Sequence, residues 1–199
     1  MKNAFTLAEV LVTVGIIGVV AAMTVPNLME NYQRQSYITQ LRKVYSEFSQ
    51  AAESAMADSN TQRLREARAI RNNSFLQNYF KTTQTCSADT ISDCFADTYT
   101  TISGTSLRLR DYISGNSSCA VVASGYSVCL SNDNVITVDV NGKQGPNVMG
   151  RDLFLMRYED NGTIISAYGN ADPSADDCVD GDYNACFAKI LNDGWVMDY

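Results

Sequence analysis

The feature that most constrains this chain is an almost uninterrupted apolar run near its N-terminus, from Phe5 to Val25. The run has 21 residues, and Glu9 carries its only ionisable side chain. An α-helix of this length rises about 30 Å, the thickness of the hydrocarbon core of a bilayer. Lys2 is the only charged residue before the run, and the positive-inside bias keeps such an N-terminus cytoplasmic. The pattern therefore predicts a single transmembrane helix, with everything after Pro26 exported.

An ordinary secretory signal peptide is the alternative interpretation of this run. Lys2 would then form its basic region, and Val20-Ala21-Ala22 would precede the cleavage site. Two features weigh against it, because the run is long for a signal and contains a carboxylate. A charged acid in a membrane helix costs roughly 2.5–3.5 kcal/mol. A helix that keeps Glu9 is therefore expected to provide a partner for it.

A nine-residue segment resembles the prepilin cleavage and methylation motif of type IV pilins and type II secretion pseudopilins: Ala4-Phe5-Thr6-Leu7-Ala8-Glu9-Val10-Leu11-Val12. The similarity extends over residues 1–31. It includes a short basic leader, an aromatic first mature residue, a glutamate at the fifth mature position, Gly18, and Pro26 closing the apolar run. The family usually has glycine before the cleavage site, where this chain has Ala4. Since alanine is the smallest alternative, we expect processing to occur.

The resemblance implies how the N-terminus is processed and used. A prepilin peptidase would cleave between Ala4 and Phe5 on the cytoplasmic face, and Phe5 would then be N-methylated. In filaments of this family, the carboxylate corresponding to Glu9 meets the free N-terminal amine of a neighbouring subunit. Each charge alone would pay several kcal/mol of desolvation, so pairing would enforce the register between subunits. The resemblance also implies a helix kink or loosening between Gly18 and Pro26, and proline lacks the amide hydrogen that a regular helix needs.

The same resemblance implies the role and the partners of the protein. We expect a structural subunit of a type IV pilus or a type II secretion pseudopilus, held in the cytoplasmic (inner) membrane and then added to an extracytoplasmic filament. Its partners would be copies of itself, other pilin-like subunits, the prepilin peptidase, an inner-membrane assembly platform and membrane lipid. The alternative is a minor tip pilin, a binding module for adhesion or DNA uptake.

The composition restricts the chemistry that the chain can perform. It contains no histidine, which excludes Ser-His-Asp and Cys-His nucleophiles and imidazole zinc sites. Neither a nucleophile elbow nor a Walker-type loop is present. The net charge of −7 argues against broad contact with nucleic-acid phosphates. We therefore expect no enzyme, no cofactor and no nucleic-acid partner.

An amphipathic helix is predicted to continue the apolar run over residues 26–58. Its apolar residues recur at spacings of three and four, and neither glycine nor a second proline interrupts them. Together the two segments predict one helix of about 53 residues, roughly 80 Å long. A shorter helix is predicted over Thr61 to Phe80. Its four arginines indicate a solvated face, with pairing to an acidic stretch of another subunit as a further option.

Residues 59–199 are predicted to form a disulfide-bonded globular domain. Lys81 to Ser106 has the composition of an ordered loop region, after which strand patterns are separated by turn signals such as Asn141-Gly142. The predicted fold class is α+β, with the long helix packed on an antiparallel sheet of four to five strands; the resemblance implies a pilin-like arrangement. The segment from Asp139 to Phe154 looks like a pattern that recurs in pilin-like proteins of the secretion type. A short helix and a terminal strand containing Trp195 end the chain.

Six cysteines lie in the exported part: Cys86, Cys94, Cys119, Cys129, Cys178 and Cys186. No Cys-x-x-Cys occurs, and an even count in an oxidising compartment favours disulfides. Nearest-neighbour pairing is the simplest of fifteen connectivities. A symmetric hairpin about Ser124 would set Cys119 opposite Cys129. In a reducing compartment the alternative is buried free thiols.

The acidic residues of the chain offer candidate ligands for calcium, because Ca²⁺ prefers oxygen donors. An acidic stretch near the C-terminus contains Asp177, Asp180 and Asp182, although its spacing does not follow an EF-hand loop. Some secretion pseudopilins carry a calcium site, which adds to this possibility by resemblance. A second candidate group is Asp139, Asn141 and Asp152. The leading interpretation of both groups is a set of turn-forming residues without a metal.

Overall fold

The computed structural model describes residues 6–71, 74–113, 117–167, 174–179 and 185–199. The chain divides into two compact units, Met1–Ser36 and Tyr37–Tyr199. The first helix, α1, spans Leu7–Asp58 and contributes to both units. Its 52 residues confirm the single long helix that the sequence predicts, and the helix continues through Pro26.

Within the second unit, α1 presents one apolar face to the interior. The buried positions recur at spacings of three and four, as expected for one side of a helix: Leu41, Val44, Phe48, Ala52 and Ala55. These side chains belong to the same core cluster as inward-facing residues of the sheet. A hydrogen bond from the Tyr158 hydroxyl to the Phe48 carbonyl, 2.6 Å long, also ties the sheet to the helix.

A six-stranded antiparallel sheet forms the centre of the second unit, in the order β1-β4-β5-β6-β7-β8. Its strands are β1 (Thr82–Cys86), β4 (Ser118–Val122), β5 (Ser127–Leu130), β6 (Val135–Asp139), β7 (Leu153–Tyr158) and β8 (Ile164–Ser166). A separate pair joins β2 (Tyr99–Thr100) to β3 (Ser106–Leu107). The antiparallel sheet is confirmed, but the prediction of four to five strands is wrong.

The strand that the prediction missed is β1, at the edge of the sheet. It lies inside the segment Lys81 to Ser106 that was predicted as a loop region; β2 lies there too, and β3 begins at the last residue of that segment. The sequence of β1 is Thr-Thr-Gln-Thr-Cys, and its three central residues are exposed. Since neither face buries an apolar row, the usual alternation of apolar and polar residues is absent. The strand forms through backbone pairing with β4 instead.

Two other predicted elements differ from the structure. The helix predicted over Thr61 to Phe80 is broken into a 3₁₀ turn at Leu64–Glu66, α2 (Arg68–Arg71) and α3 (Phe75–Tyr79). Leu64 is fully buried, and its N–H donates to the carbonyl of Asp160 at 2.7 Å. This tertiary hydrogen bond replaces the partner that a continuous helix would supply.

The C-terminal segment is not a strand. The helices before it are α4 (Ala175–Val179) and α5 (Cys186–Asn192). Gly194 and Trp195 then adopt φ of +68° and +70°, which end the helix and which a β-strand does not contain. The Trp195 ring packs edge-on against Tyr45, with ring centroids 5.2 Å apart, and therefore contributes to closing the core.

The two faces of the sheet carry separate core clusters. Along β7, Phe154 and Met156 belong to the cluster that contains α1, whereas Leu153 and Leu155 belong to the other. This alternation follows the two-residue period of a strand. The second cluster also contains Phe95, Tyr99, Cys119 and Cys129. The sheet is therefore covered on both faces within the second unit.

Candidate functional site

The first candidate site is the beginning of α1, where Glu9 has a local partner. Its Oε2 accepts hydrogen bonds from the Thr6 backbone N–H at 2.9 Å and from the Thr6 hydroxyl at 2.8 Å. In return, the Glu9 N–H donates to the Thr6 hydroxyl oxygen at 3.2 Å. This reciprocal arrangement is a capping box, which satisfies backbone groups at the start of a helix. The Thr-x-x-Glu spacing carries this signal, and the sequence analysis missed it.

The capping box uses only one of the two carboxylate oxygens. Within the described ranges, no residue donates to Oε1 of Glu9. The predicted processing residues Ala4 and Phe5 lie outside the described residues, so cleavage and methylation there remain predictions. Thr6 orients the carboxyl group, and Oε1 is left able to accept a hydrogen bond from a charged donor of another molecule.

The first unit exposes an unusually apolar helical surface. Leu7, Leu11 and Ile17 are 78%, 64% and 66% exposed, and Leu28 and Tyr32 remain about 70% exposed further along. An 18-residue window of α1 has a mean hydropathy of 2.2 and none of it is buried. This part of α1 is therefore long and apolar enough to cross a membrane, a test that a secretory signal sequence also passes.

Gly18 and Pro26, the two residues predicted to kink or loosen the helix, both lie in this unit. A Cβ atom added to Gly18 would meet no atom within 4 Å, so the packing of the unit does not require glycine there. Pro26 lies inside the helix, more than two turns after Gly18. Their predicted role as a kink that loosens in a filament stays a prediction.

The second candidate site is the loop between β6 and β7, which two buried carboxylates hold in place. Asp152 accepts hydrogen bonds from the backbone N–H groups of Asn147 and Val148 at 2.7 and 2.6 Å. Asp139 accepts one from the Tyr99 hydroxyl at 2.6 Å and one from the Asn141 N–H at 3.2 Å. All four carboxylate oxygens therefore accept a hydrogen bond, and three of the four bonds come from the loop backbone. Such bonds offset part of the cost of burying charge.

Burial is the largest influence on the pKa values of Asp139 and Asp152. It raises the pKa of Asp139 to about 8, and the neighbouring charge of Asp152 adds to the rise. The hydrogen bonds from Tyr99 and from the backbone of Asn141 oppose it. Burial also raises the pKa of Asp152, against the hydrogen bonds from the loop backbone. At neutral pH the pair consequently carries less than two negative charges.

The calcium candidates are only partly brought together. Asp139 and Asp152 interact, but within the described part of the chain no group of three carboxylates or thiols could hold a metal. Asp177 is exposed and forms a capping box with Ser174, whose N–H and hydroxyl donate to it at 2.8 and 2.9 Å. Asp180 and Asp182 lie outside the described residues. Calcium binding at either group remains untested.

Three disulfides cross-link the second unit with the nearest-neighbour pairing that the sequence analysis favoured. They join Cys86 to Cys94, Cys119 to Cys129 and Cys178 to Cys186. The first joins the end of β1 to the segment after a 3₁₀ turn at Ala88–Asp93, the second links β4 to β5, and the third links α4 to α5. The symmetric hairpin expected for Cys119 and Cys129 is present, since these two residues are register partners.

Two of the four arginines after α1 form ion pairs within the unit. Arg65 lies 3.1 Å from Asp160, and Arg63 lies 3.6 Å from Asp160 and 3.5 Å from Glu66. Both arginine side chains are slightly more than half exposed. Exposed pairs of this kind contribute about 0–1 kcal/mol. The geometry fits the predicted solvated face.

Comparisons of this chain with protein-family models, with curated proteins and with solved structures give no match. The function must therefore be argued from the N-terminal motif and from the geometry of the two units.

Proposed function

We propose that this protein is a structural subunit of a type IV pilus or a type II secretion pseudopilus. The observation that carries the proposal is the exposed apolar beginning of α1, in a helix whose later turns form the core of a disulfide-bonded α+β unit. The prepilin-type motif around Glu9 supports it. A surface this apolar is costly in water, at roughly 25 cal/mol for each Å² exposed. Lipid before assembly and neighbouring subunits after it would remove that cost.

Glu9 is the proposed assembly residue. Cleavage after Ala4 would leave Phe5 in place, so Thr6 would keep the peptide N–H that donates to the Glu9 carboxylate. The capping box can therefore persist in the processed chain and hold the carboxyl group in one orientation. The new amine of Phe5 in a second copy would then bind the remaining oxygen, Oε1. Processing would thereby create the charge that assembly requires.

The second unit would be the exported part of this subunit, with a pilin-like fold. A helix packed against an antiparallel sheet supports that interpretation, and three disulfides suit an oxidising compartment. We place the protein in the cytoplasmic membrane and then in an extracytoplasmic filament. Its partners would be copies of itself, other pilin-like subunits, the prepilin peptidase and the assembly platform. It would act through assembly and perform no catalysis.

The minor tip pilin remains the second candidate function, and one observation favours it. An open groove of about 540 Å³ lies between α1 and the β4–β5 turn. Its lining includes the apolar side chains of Phe80 and Val122 and the charged residues Glu47 and Lys81. Its size is within the range of ligand sites. The measurement that separates the two roles is subunit stoichiometry in purified filaments, since a tip subunit is present in far fewer copies than the main subunit.

The decisive test is the intact mass and the N-terminal sequence of the protein isolated from its native membrane. We expect the chain to begin at N-methylated Phe5. A matched pair of variants tests the cleavage site, because Ala4→Gly should be processed normally and Ala4→Leu should accumulate uncleaved. A chain that begins at Met23 would instead identify an exported soluble protein and contradict the proposal.

A further inference from the structure

Four of the six cysteines meet in the second core cluster. Strand β4 lies between β1 and β5, and Cys119 of β4 is the register partner of both Cys86 on β1 and Cys129 on β5. Directly opposed residues of antiparallel strands project to the same face, with Cβ atoms about 4.5–5.5 Å apart. The side chains of Cys86, Cys119 and Cys129 therefore form a row across three strands, with Cys119 in the middle.

The row connects two disulfides, one that is buried and one that is partly exposed to solvent. Cys119 and Cys129 are bonded to each other and are 1% and 2% exposed. Cys86, at the end of the row, is bonded to Cys94, which is fully buried. Cys86 is half-buried and is the one member of these four that solvent reaches. A reductant from solution would consequently act first on the Cys86–Cys94 bridge.

Opening that bridge would leave the surrounding backbone anchored. Cys86 stays opposite Cys119 because β1 pairs with β4 along its length. The carbonyl of Cys94 accepts a hydrogen bond from the buried Ser127 hydroxyl. These contacts do not depend on the sulfur–sulfur bond, so the Cys86 thiol would remain next to Cys119.

We propose that Cys86 is a thiol–disulfide exchange site acting on the neighbouring Cys119–Cys129 bridge. A dithiol reductant first reduces Cys86–Cys94 to two thiols and is itself oxidised to a disulfide. The Cys86 thiolate then attacks Sγ of Cys119. A Cys86–Cys119 bond forms as the Cys119–Cys129 bond breaks, and Cys129 leaves as a thiolate that takes up a proton.

The strand order favours this direction of attack. Exchange proceeds most readily when the attacking sulfur, the attacked sulfur and the leaving sulfur lie in line. Cys86 and Cys129 lie on the strands that flank Cys119, so the attacking and the leaving cysteine are on opposite sides of the residue that is attacked. The partner implied is a dithiol oxidoreductase or disulfide isomerase that can reach Cys86. The inference goes beyond the filament role and does not depend on it.

The Cys178–Cys186 bridge is separate from this chemistry. It belongs to the core cluster on the other face of the sheet. The two bridges of the second cluster thus form one exchangeable unit, and the third bridge serves as an internal reference.

A matched pair of single variants of the full chain tests the proposal. Cys94→Ser leaves Cys86 as the free thiol, and Cys86→Ser leaves Cys94 instead. Each protein, purified in detergent, is incubated, quenched with acid, alkylated and mapped by peptide mass spectrometry. For Cys94→Ser we expect Cys86–Cys119 to appear with Cys129 alkylated. Its rate should rise about tenfold per pH unit below about pH 8.5, because the thiolate is the nucleophile.

For Cys86→Ser we expect the Cys119–Cys129 bridge to be retained, since Cys94 is not in the row. An intact Cys119–Cys129 bridge in Cys94→Ser would overturn the proposal, and so would equal exchange in both variants. Partial reduction of the unmodified protein provides an independent measurement if a variant fails to fold. Cys86–Cys119 should then form with Cys94 and Cys129 alkylated, whereas products alkylated only at Cys86 and Cys94 would contradict the inference.

Discussion

The two units of this chain use the same kind of apolar side chain in opposite ways. In the first unit, Leu11 of α1 is 64% exposed and its neighbours are similar. In the second unit, Leu41 and Phe48 of the same helix are fully buried against the sheet. The second unit therefore buries its apolar side chains in its own core, whereas the first leaves them exposed to lipid or to other molecules. Folding stability should depend on the second unit, and the proposed assembly on the first.

The largest expected effect is the loss of assembly in Glu9→Ala. Without the carboxylate, the Phe5 amine of a second copy would be buried without a partner, which costs several kcal/mol. We expect a processed, membrane-bound subunit that forms no filaments, while the second unit unfolds at its normal temperature. Electron microscopy of filaments and the thermal unfolding of purified subunit measure the two outcomes.

Thr6→Ala is the matched control for that variant. It removes the hydroxyl of the capping box, which is worth about 1 kcal/mol locally, but keeps the Glu9 charge. We expect filaments to form, in reduced amount. Normal filaments from Glu9→Ala, or equal loss in both variants, would contradict the proposed role of the carboxylate.

The next effect compares the same substitution in the two units. Leu41→Ala should lower the free energy of unfolding of the second unit by about 2–5 kcal/mol, because it leaves a cavity in the core. Leu11→Ala removes an exposed side chain from the same helix and should change that free energy by less than about 0.5 kcal/mol. Denaturant unfolding in detergent, followed by the signal of the single Trp195, measures both. A similar cost for the two variants would mean that the units do not differ as proposed.

A pair of glycines sharpens the comparison within the second unit. Gly150 and Gly104 adopt nearly the same φ, +91° and +90°. A Cβ at Gly150 would lie 2.6 Å from the sulfur of Cys186, whereas one at Gly104 would meet nothing within 4 Å. Gly104→Ala should therefore cost only the backbone strain, about 1 kcal/mol. Gly150→Ala should cost about 1–3 kcal/mol more, because a buried neighbour must move. Equal losses in thermal unfolding would refute the packing explanation.

The sequence predicts α1 well because two strong patterns define it. The apolar run fixes its first part, and the spacing of buried residues from Leu41 onward fixes the second. The hairpin around Ser124 was predictable because it combines apolar strands with a turn signal. Strand β1 was not, since a polar edge strand depends on backbone pairing with a distant partner. For the same reason, no local sequence pattern indicates that Cys86 of this strand lies opposite Cys119.

The candidate sites divide in the same way. The capping box of Thr6 and Glu9 is a local motif that the sequence contains, and a search for Thr-x-x-Glu would have found it. The sequence analysis grouped Asp139, Asn141 and Asp152 as candidate calcium ligands, and Asp139 and Asp152 do interact in the structure. Their engagement by Tyr99 and by loop backbone is a tertiary property. Tyr99 lies 40 residues from Asp139 in the chain, and the sequence, which favoured turn-forming residues over calcium ligands, does not indicate that contact.

The remaining expected effect concerns the ionisation of that buried pair. Burial raises the pKa of Asp139 from 3.8 to about 8. Between these values the folded protein holds a proton that the unfolded chain has released. The contribution of Asp139 to stability is therefore complete below about pH 4 and is lost as the pH rises towards 8. One pKa unit corresponds to about 1.4 kcal/mol, so a rise of about four units sets an upper limit of about 6 kcal/mol on this loss.

Asp139→Asn isolates this contribution, because an amide can still accept the hydrogen bond from Tyr99 but does not ionise. The free energy of unfolding of the unmodified protein, minus that of the variant, should fall steadily between about pH 4 and pH 8. Asp133→Asn provides the control, since Asp133 is exposed in a turn and its replacement should give a nearly constant difference. A constant difference for Asp139→Asn would show that Asp139 is already ionised in the folded protein. The second unit would then tolerate a buried charge on Asp139, whereas the charge of Glu9 in the first unit is proposed to be neutralised only on assembly.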